Sequence, residues 1–89
     1  MPEISRFQGI VVSIFIERGE RHHTPHFHAF YQDMAASFRI DPVELLEGDL
    51  PLRQRRLVEA WAELHQAELM ENWQSVYNYG PARKIEPLR

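Results

Sequence analysis

The chain has no cysteine. Disulfides and thiolate metal ligands are therefore excluded, and any metal ion must be held by histidine and carboxylate side chains. No run of apolar residues approaches the roughly 20 needed to cross a bilayer, so a membrane span is not expected. The opening MPEISRFQ lacks the basic-then-apolar plan of a signal peptide, and a cytoplasmic location is expected. A basic surplus is also missing: ten Lys and Arg stand against thirteen Asp and Glu, for a net charge of −3 with histidines neutral. That balance argues against a general nucleic-acid binder while leaving room for a local basic patch. There is no internal repeat, no Gly-rich phosphate loop, no serine nucleophile motif and no HExxH zinc signature.

What is present is a folded-chain composition. The 89 residues are 44% hydrophobic, too apolar for a disordered segment, and they suit a single domain over residues 1–89. The first half reads as β. GIVVSIFIE (residues 9–17) is β-branched and apolar, with Ile10, Val12, Ile14 and Ile16 on the better core face and Val11, Ser13, Phe15 and Glu17 on the other. RGERHHTP is a polar connection. HFHAFYQ follows as a strand, with Phe27, Ala29 and Tyr31 on one face and His26, His28 and Phe30 on the other. Gln32-Asp33 suits a tight hairpin turn, and MAASFRI returns with Met34, Ala36, Phe38 and Ile40 inward. Asp41-Pro42 marks a turn, and VELLE adds a short fourth strand before Gly48.

From Pro51 the period changes to three and four residues through Leu57, Val58, Trp61, Leu64, Leu69, Trp73, Val76 and Tyr77. An amphipathic helix over about 50–79 is expected, with Asp49 as N-cap and Gly80-Pro81 as stop, before a tail over 80–89. The expected fold is α+β: an antiparallel meander of three to four strands, over about 9–47, packed on one long C-terminal helix. Such a helix would be roughly 45 Å long, against about 20 Å for a six-residue strand. Either it breaks near His65-Gln66 or its far half packs on another molecule, and a homodimer is the expectation.

The opening PEISRFQGIVVSIFIE, the central TPHFHAFY, LLEGDLP, LVEAWAELHQAELMENW and the terminal KIEPL resemble the bacterial "domain of unknown function 4160" family. The resemblance runs through nearly the whole chain in the same order. It implies a small single-domain protein without an established activity. It also implies a partner: relatives often sit in a two-gene unit beside a "domain of unknown function 2442" protein, and such pairs are sometimes labelled toxin–antitoxin-like. His26 and His28 match the family motif directly. Two positions depart from it, the hairpin at Gln32-Asp33, where Gly is usual, and the extra pair His22-His23.

Four of the five histidines fall within HHTPHFH, residues 22–28. His26 and His28, two apart on a strand, project the same way and can meet one metal ion, with zinc, nickel or iron suited to neutral imidazole. Two ligands are too few. His22, His23, Glu20, Glu17 and, if the faces are reversed, His65 are the candidates for a third. His65 also reads as a boundary residue of the helix. The same pair can act as acid and base on RNA, with Arg18, Arg21 or Arg39 as the phosphate-facing cation. Alternatively, His26, His28 and Phe30, with Phe15 and Val11, form a partner-binding face of an interaction module, or stack bases without cutting them. His22 and His23 read as solvated loop residues. Arg53, Arg55 and Arg56 oppose the helix dipole in its first turns, which suits an anionic partner; weak Arg55–Glu59 and Arg56–Glu59 pairs on a solvated face are the plainer reading.

Overall fold

The computed structural model describes residues 2–17 and 24–89. Five strands form one antiparallel sheet in chain order: β1 (Glu3–Phe7), β2 (Ile10–Ser13), β3 (His26–Tyr31), β4 (Met34–Arg39) and β5 (Glu44–Gly48). Two helices follow, α1 (Leu52–Leu64) and α2 (Gln66–Tyr77). The α+β class and the antiparallel meander are as expected. The strand count and the single long helix are not.

β1 is the added strand. EISRF carries only two apolar alternations, so its period is weak. The link to β2 is a two-residue turn, Gln8-Gly9, with both residues at positive φ (50° and 79°) and Phe7 paired to Ile10. Both residues in that region match the twist of a tight hairpin. β2 is shorter than the apolar run suggests: it ends at Ser13, the Ile14 amide makes one more bond to the Pro2 carbonyl (3.2 Å), and residues 15–17 leave the ladder. The Gln32-Asp33 hairpin forms as expected, with Tyr31 opposite Met34 and Gln32 at φ 54°.

The expected helix breaks at His65, whose φ of −123° and ψ of 26° leave the helical basin. Its amide turns back to the Ala62 carbonyl (3.2 Å), and Gln66 Nε2 donates to the Ile40 carbonyl (2.9 Å), tying the break to the end of β4. Helices of 13 and 12 residues are each about 20 Å long, which matches the strands. A 45 Å rod has no place in a molecule 33 Å along its longest axis. The length argument for a second copy therefore falls away. The helix also starts later than expected: Pro51 occupies the cap position, and Asp49 Oδ1 instead accepts from the Leu50 amide (2.9 Å).

The core lies between the inner sheet face and the helices. Ile10, Val12, Phe27, Ala29 and Phe38 are fully buried from the sheet, as are Val58, Trp61, Ala62 and Leu69 from the helices. Trp61 is the centre, tilted against Phe7 and edge-on to Phe27 with ring centroids 5.6 and 5.9 Å apart. Its Nε1 donates to the Glu86 carbonyl (2.8 Å), so one residue fixes helix, sheet and tail together. The tail continues as a strap. The Ile85 amide bonds the Ile4 carbonyl (2.8 Å), and Asn72 both donates to and accepts from the backbone of Arg83.

Candidate metal centre on the outer sheet face

Antiparallel register assembles the outer face in rows across the strands. One row runs through all five: Glu3, Ser13, His28, Ser37 and Glu47 are successive partners. A second holds His26, Arg39 and Glu44, and a third Val11, Phe30 and Ala35. The histidines thus stand on the face opposite Phe27 and Ala29, and the connecting segment 14–17 returns over them. Phe15 stacks flat on His28, ring centroids 3.9 Å apart and 10° between planes.

Glu17, His26 and His28 form a cluster whose ligand atoms all lie within 4.8 Å of one another. His28 Nε2 is 3.2 Å from Glu17 Oε1. Two ligands of one tetrahedral ion with bonds of 2.0–2.1 Å stand about 3.3 Å apart, so this edge already has the length a shared metal requires. His26 is buried, and its Nδ1 lies 2.7 Å from the Thr24 carbonyl oxygen. A carbonyl only accepts, so Nδ1 carries the proton and Nε2 keeps the lone pair. That is the outer-shell arrangement that fixes the tautomer and ring angle of a metal-ligating histidine. His26 is further held edge-on to His28 and against Trp73 of α2, each with centroids 5.0 Å apart.

These residues form one wall of a cleft of about 680 Å³, a volume in the range of small-molecule sites. Glu17, Thr24, His26 and His28 line one side. Ala35, Ala36, Ser37 and, from β5, Leu46, Glu47 and Gly48 complete it. The floor is made of small residues, and Gly48 shows why. At φ 76°, a Cβ there would overlap the Ala35 carbonyl oxygen.

The other residues singled out in the sequence are elsewhere. His65 is not in the cluster: its ring lies on Trp61 and its Nδ1 is 2.7 Å from Glu68 Oε1 at the helix break. With the histidines on the outer face and α1 on the inner one, three-way convergence with His65 is lost, and Glu17 takes that place. Arg39 is beside His26 in register, yet its Nη1 turns to Glu44 (3.5 Å) and it does not line the cleft. Arg53, Arg55 and Arg56 stand on α1, on the helix side of the sheet, and do not join His26, His28 and Phe30 in one surface. Arg55 Nε pairs with Glu59 (3.3 Å). Phe30 stacks beyond His28 at 6.4 Å. Arg18, Glu20, Arg21, His22 and His23 lie outside the described residues. Glu47, which lines the cleft from β5, is not among the residues that the sequence singles out.

Fold and site together define a small α+β protein, a five-stranded meander backed by two helices, with a two-histidine, one-carboxylate cluster in an open cleft. By sequence the chain belongs to the family described as domain of unknown function DUF4160, whose model matches residues 9–74. Its His26, His28, Glu17 and Glu47 all fall inside that match. No curated protein and no solved structure matches the chain. Among the described residues, no helix is long and apolar enough to cross a membrane.

Proposed function

We propose that Glu17, His26 and His28 hold a single divalent transition-metal ion and that the cleft is its reaction or binding chamber. The carrying observation is the three-atom cluster within 4.8 Å, with His26 Nδ1 already committed to a backbone carbonyl. Two imidazoles and a carboxylate suit zinc, iron or nickel and leave at least one position for water. A metal there would polarise a bound carbonyl or supply a hydroxide near neutral pH, which makes a metal-dependent hydrolase the enzyme reading of the site. The metal-free ribonuclease reading draws less support, because among the described residues no Lys or Arg lines the cleft.

The test is metal content by mass spectrometry on untagged protein, with circular dichroism as the fold control. Wild type and His65→Ala should carry near-stoichiometric metal. Glu17→Ala and the His26→Ala/His28→Ala variant should lose it while keeping their spectra. Metal absent from wild type, or retained by the double variant, refutes the centre.

A second reading keeps the cleft face as an interaction surface for the cognate protein of a two-gene, toxin–antitoxin-like unit. It is supported by the half-buried aromatic row of Phe15, His28 and Phe30 on the face opposite α1. On that reading the double alanine variant loses the partner, with or without metal.

A further inference from the structure

The charges of the cleft are unevenly placed. Among the described residues its lining carries two carboxylates, Glu17 and Glu47, and no cation. Glu17 belongs to the metal cluster. Glu47 does not: it lies two strands away in the row His28, Ser37, Glu47. Adjacent strands are about 4.8 Å apart, so the His28 and Glu47 backbones are separated by roughly 10 Å. Partners directly opposite in an antiparallel ladder share a face. Only the short Ser37 side chain stands between them, which leaves the span open to a ligand.

Resting on the metal reading, we infer that the cleft recognises a small dipolar ligand: a metal-seeking oxygen donor at one end and a positively charged nitrogen at the other. A divalent ion on one carboxylate leaves a net +1 at the histidine end. Glu47 sets −1 at the far end. A ligand with an oxygen donor and an ammonium group, such as an amino acid or a lysine-like side chain next to a carbonyl, matches both poles. A second anionic group at the Glu47 end meets repulsion from that carboxylate.

The discriminating experiment uses three hydroxamates of similar length on zinc-loaded protein, by isothermal titration. Butyrohydroxamate is neutral at its tail, γ-aminobutyrohydroxamate ends in ammonium, and succinic monohydroxamate ends in carboxylate. The expected order of affinity is ammonium, neutral, carboxylate, with about fivefold between neighbours for a partly exposed charge pair. In Glu47→Gln the three should converge while zinc content stays that of wild type. Equal affinities in wild type, a carboxylate that binds tightest, or an order that survives Glu47→Gln overturns the inference and leaves the metal centre standing. Failure of wild type to hold zinc overturns both.

Discussion

Single residues make opposite demands on the same backbone region. Gln32 and Gly48 both adopt positive φ, which costs an L side chain roughly 1–2 kcal/mol and glycine almost nothing. Gln32→Gly should therefore stabilise the hairpin by about 0.5–1 kcal/mol, less than the full strain because glycine also loosens the unfolded chain. Gly48→Ala should destabilise by more than about 2 kcal/mol, since the added methyl meets the Ala35 carbonyl as well. Urea titrations that move both midpoints the same way would contradict this account. The site residues differ in legibility for equally local reasons. His26 and His28 were readable because spacing of two on a strand fixes a common face. Glu17 was one of several third-ligand candidates, because where the chain goes after β2 is set by Phe15 stacking on His28. Glu47 was not readable at all. Strict alternation from Glu44 puts Leu46 and Gly48 on the outer face and Glu47 inside. A bulge at Leu46, between the Ser37–Glu47 and Phe38–Leu45 pairs, reverses that parity and turns Glu47 into the cleft.

At the scale of elements, alternation placed β2, β3, β4 and β5 near their places and chose the buried face of β2, β3 and β4. It missed β1 because a strand at the sheet edge with Glu, Ser and Arg in five residues carries little period. The helix break near His65-Gln66 stands in the sequence only as one of two ways out of a length mismatch, because no residue marks it: Val58, Trp61, Ala62, Leu69, Asn72 and Trp73 keep helical spacing across His65 with no Gly or Pro between. The break is a tertiary effect, produced when both helices bury their stripes on one short sheet. The tail is tertiary too. Trp61→Phe keeps most of the aromatic packing but removes the bond to the Glu86 carbonyl, so about 1 kcal/mol should be lost. The Ile85 amide should exchange faster than in wild type; unchanged protection there would mean that Trp61 does not anchor the strap. Glu3 links β1 to the same strap, with Arg6 and Lys84 around its carboxylate. The hydrogen bond from Arg6 holds the Glu3 carboxyl below its ordinary range, and Arg89 does the same for Glu86. A depressed folded-state pKa gives stability that is complete above the ordinary carboxylate value and is lost as pH falls through the depressed one. Thermal midpoints should thus decline on the acid side, below about pH 4.3, and Glu3→Gln should flatten part of that decline. Glu86 is exposed and Glu3 half-exposed, so solvent screens both pairs and the change is small. A steeper decline in the variant would reverse the sign argued here.

For the molecule as a whole, the cluster joins residues of β3 to the segment between β2 and β3, two adjoining strands. Glu17 follows β2, while His26 and His28 open β3 and His26 also touches Trp73 of α2. An ion bound by all three therefore cross-links the segment after β2 to β3, in the folded state only. Binding confined to the folded state adds stability by mass action, about 2.7 kcal/mol when free metal is one hundred times Kd. A domain of this size gains about 4–8 °C per kcal/mol, so zinc at that excess should raise Tm by roughly 10 °C or more. His65→Ala should keep the full shift, since His65 sits at the helix break and takes no part in the cluster. The His26→Ala/His28→Ala variant should show none. The interaction-surface reading predicts a different pattern: Tm indifferent to zinc in wild type and variants alike, with the stabilising increment appearing only when a cognate protein is added. A chelator titration separates the two in one protein, because a metal-linked midpoint falls back as EDTA strips the ion and a partner-linked one does not.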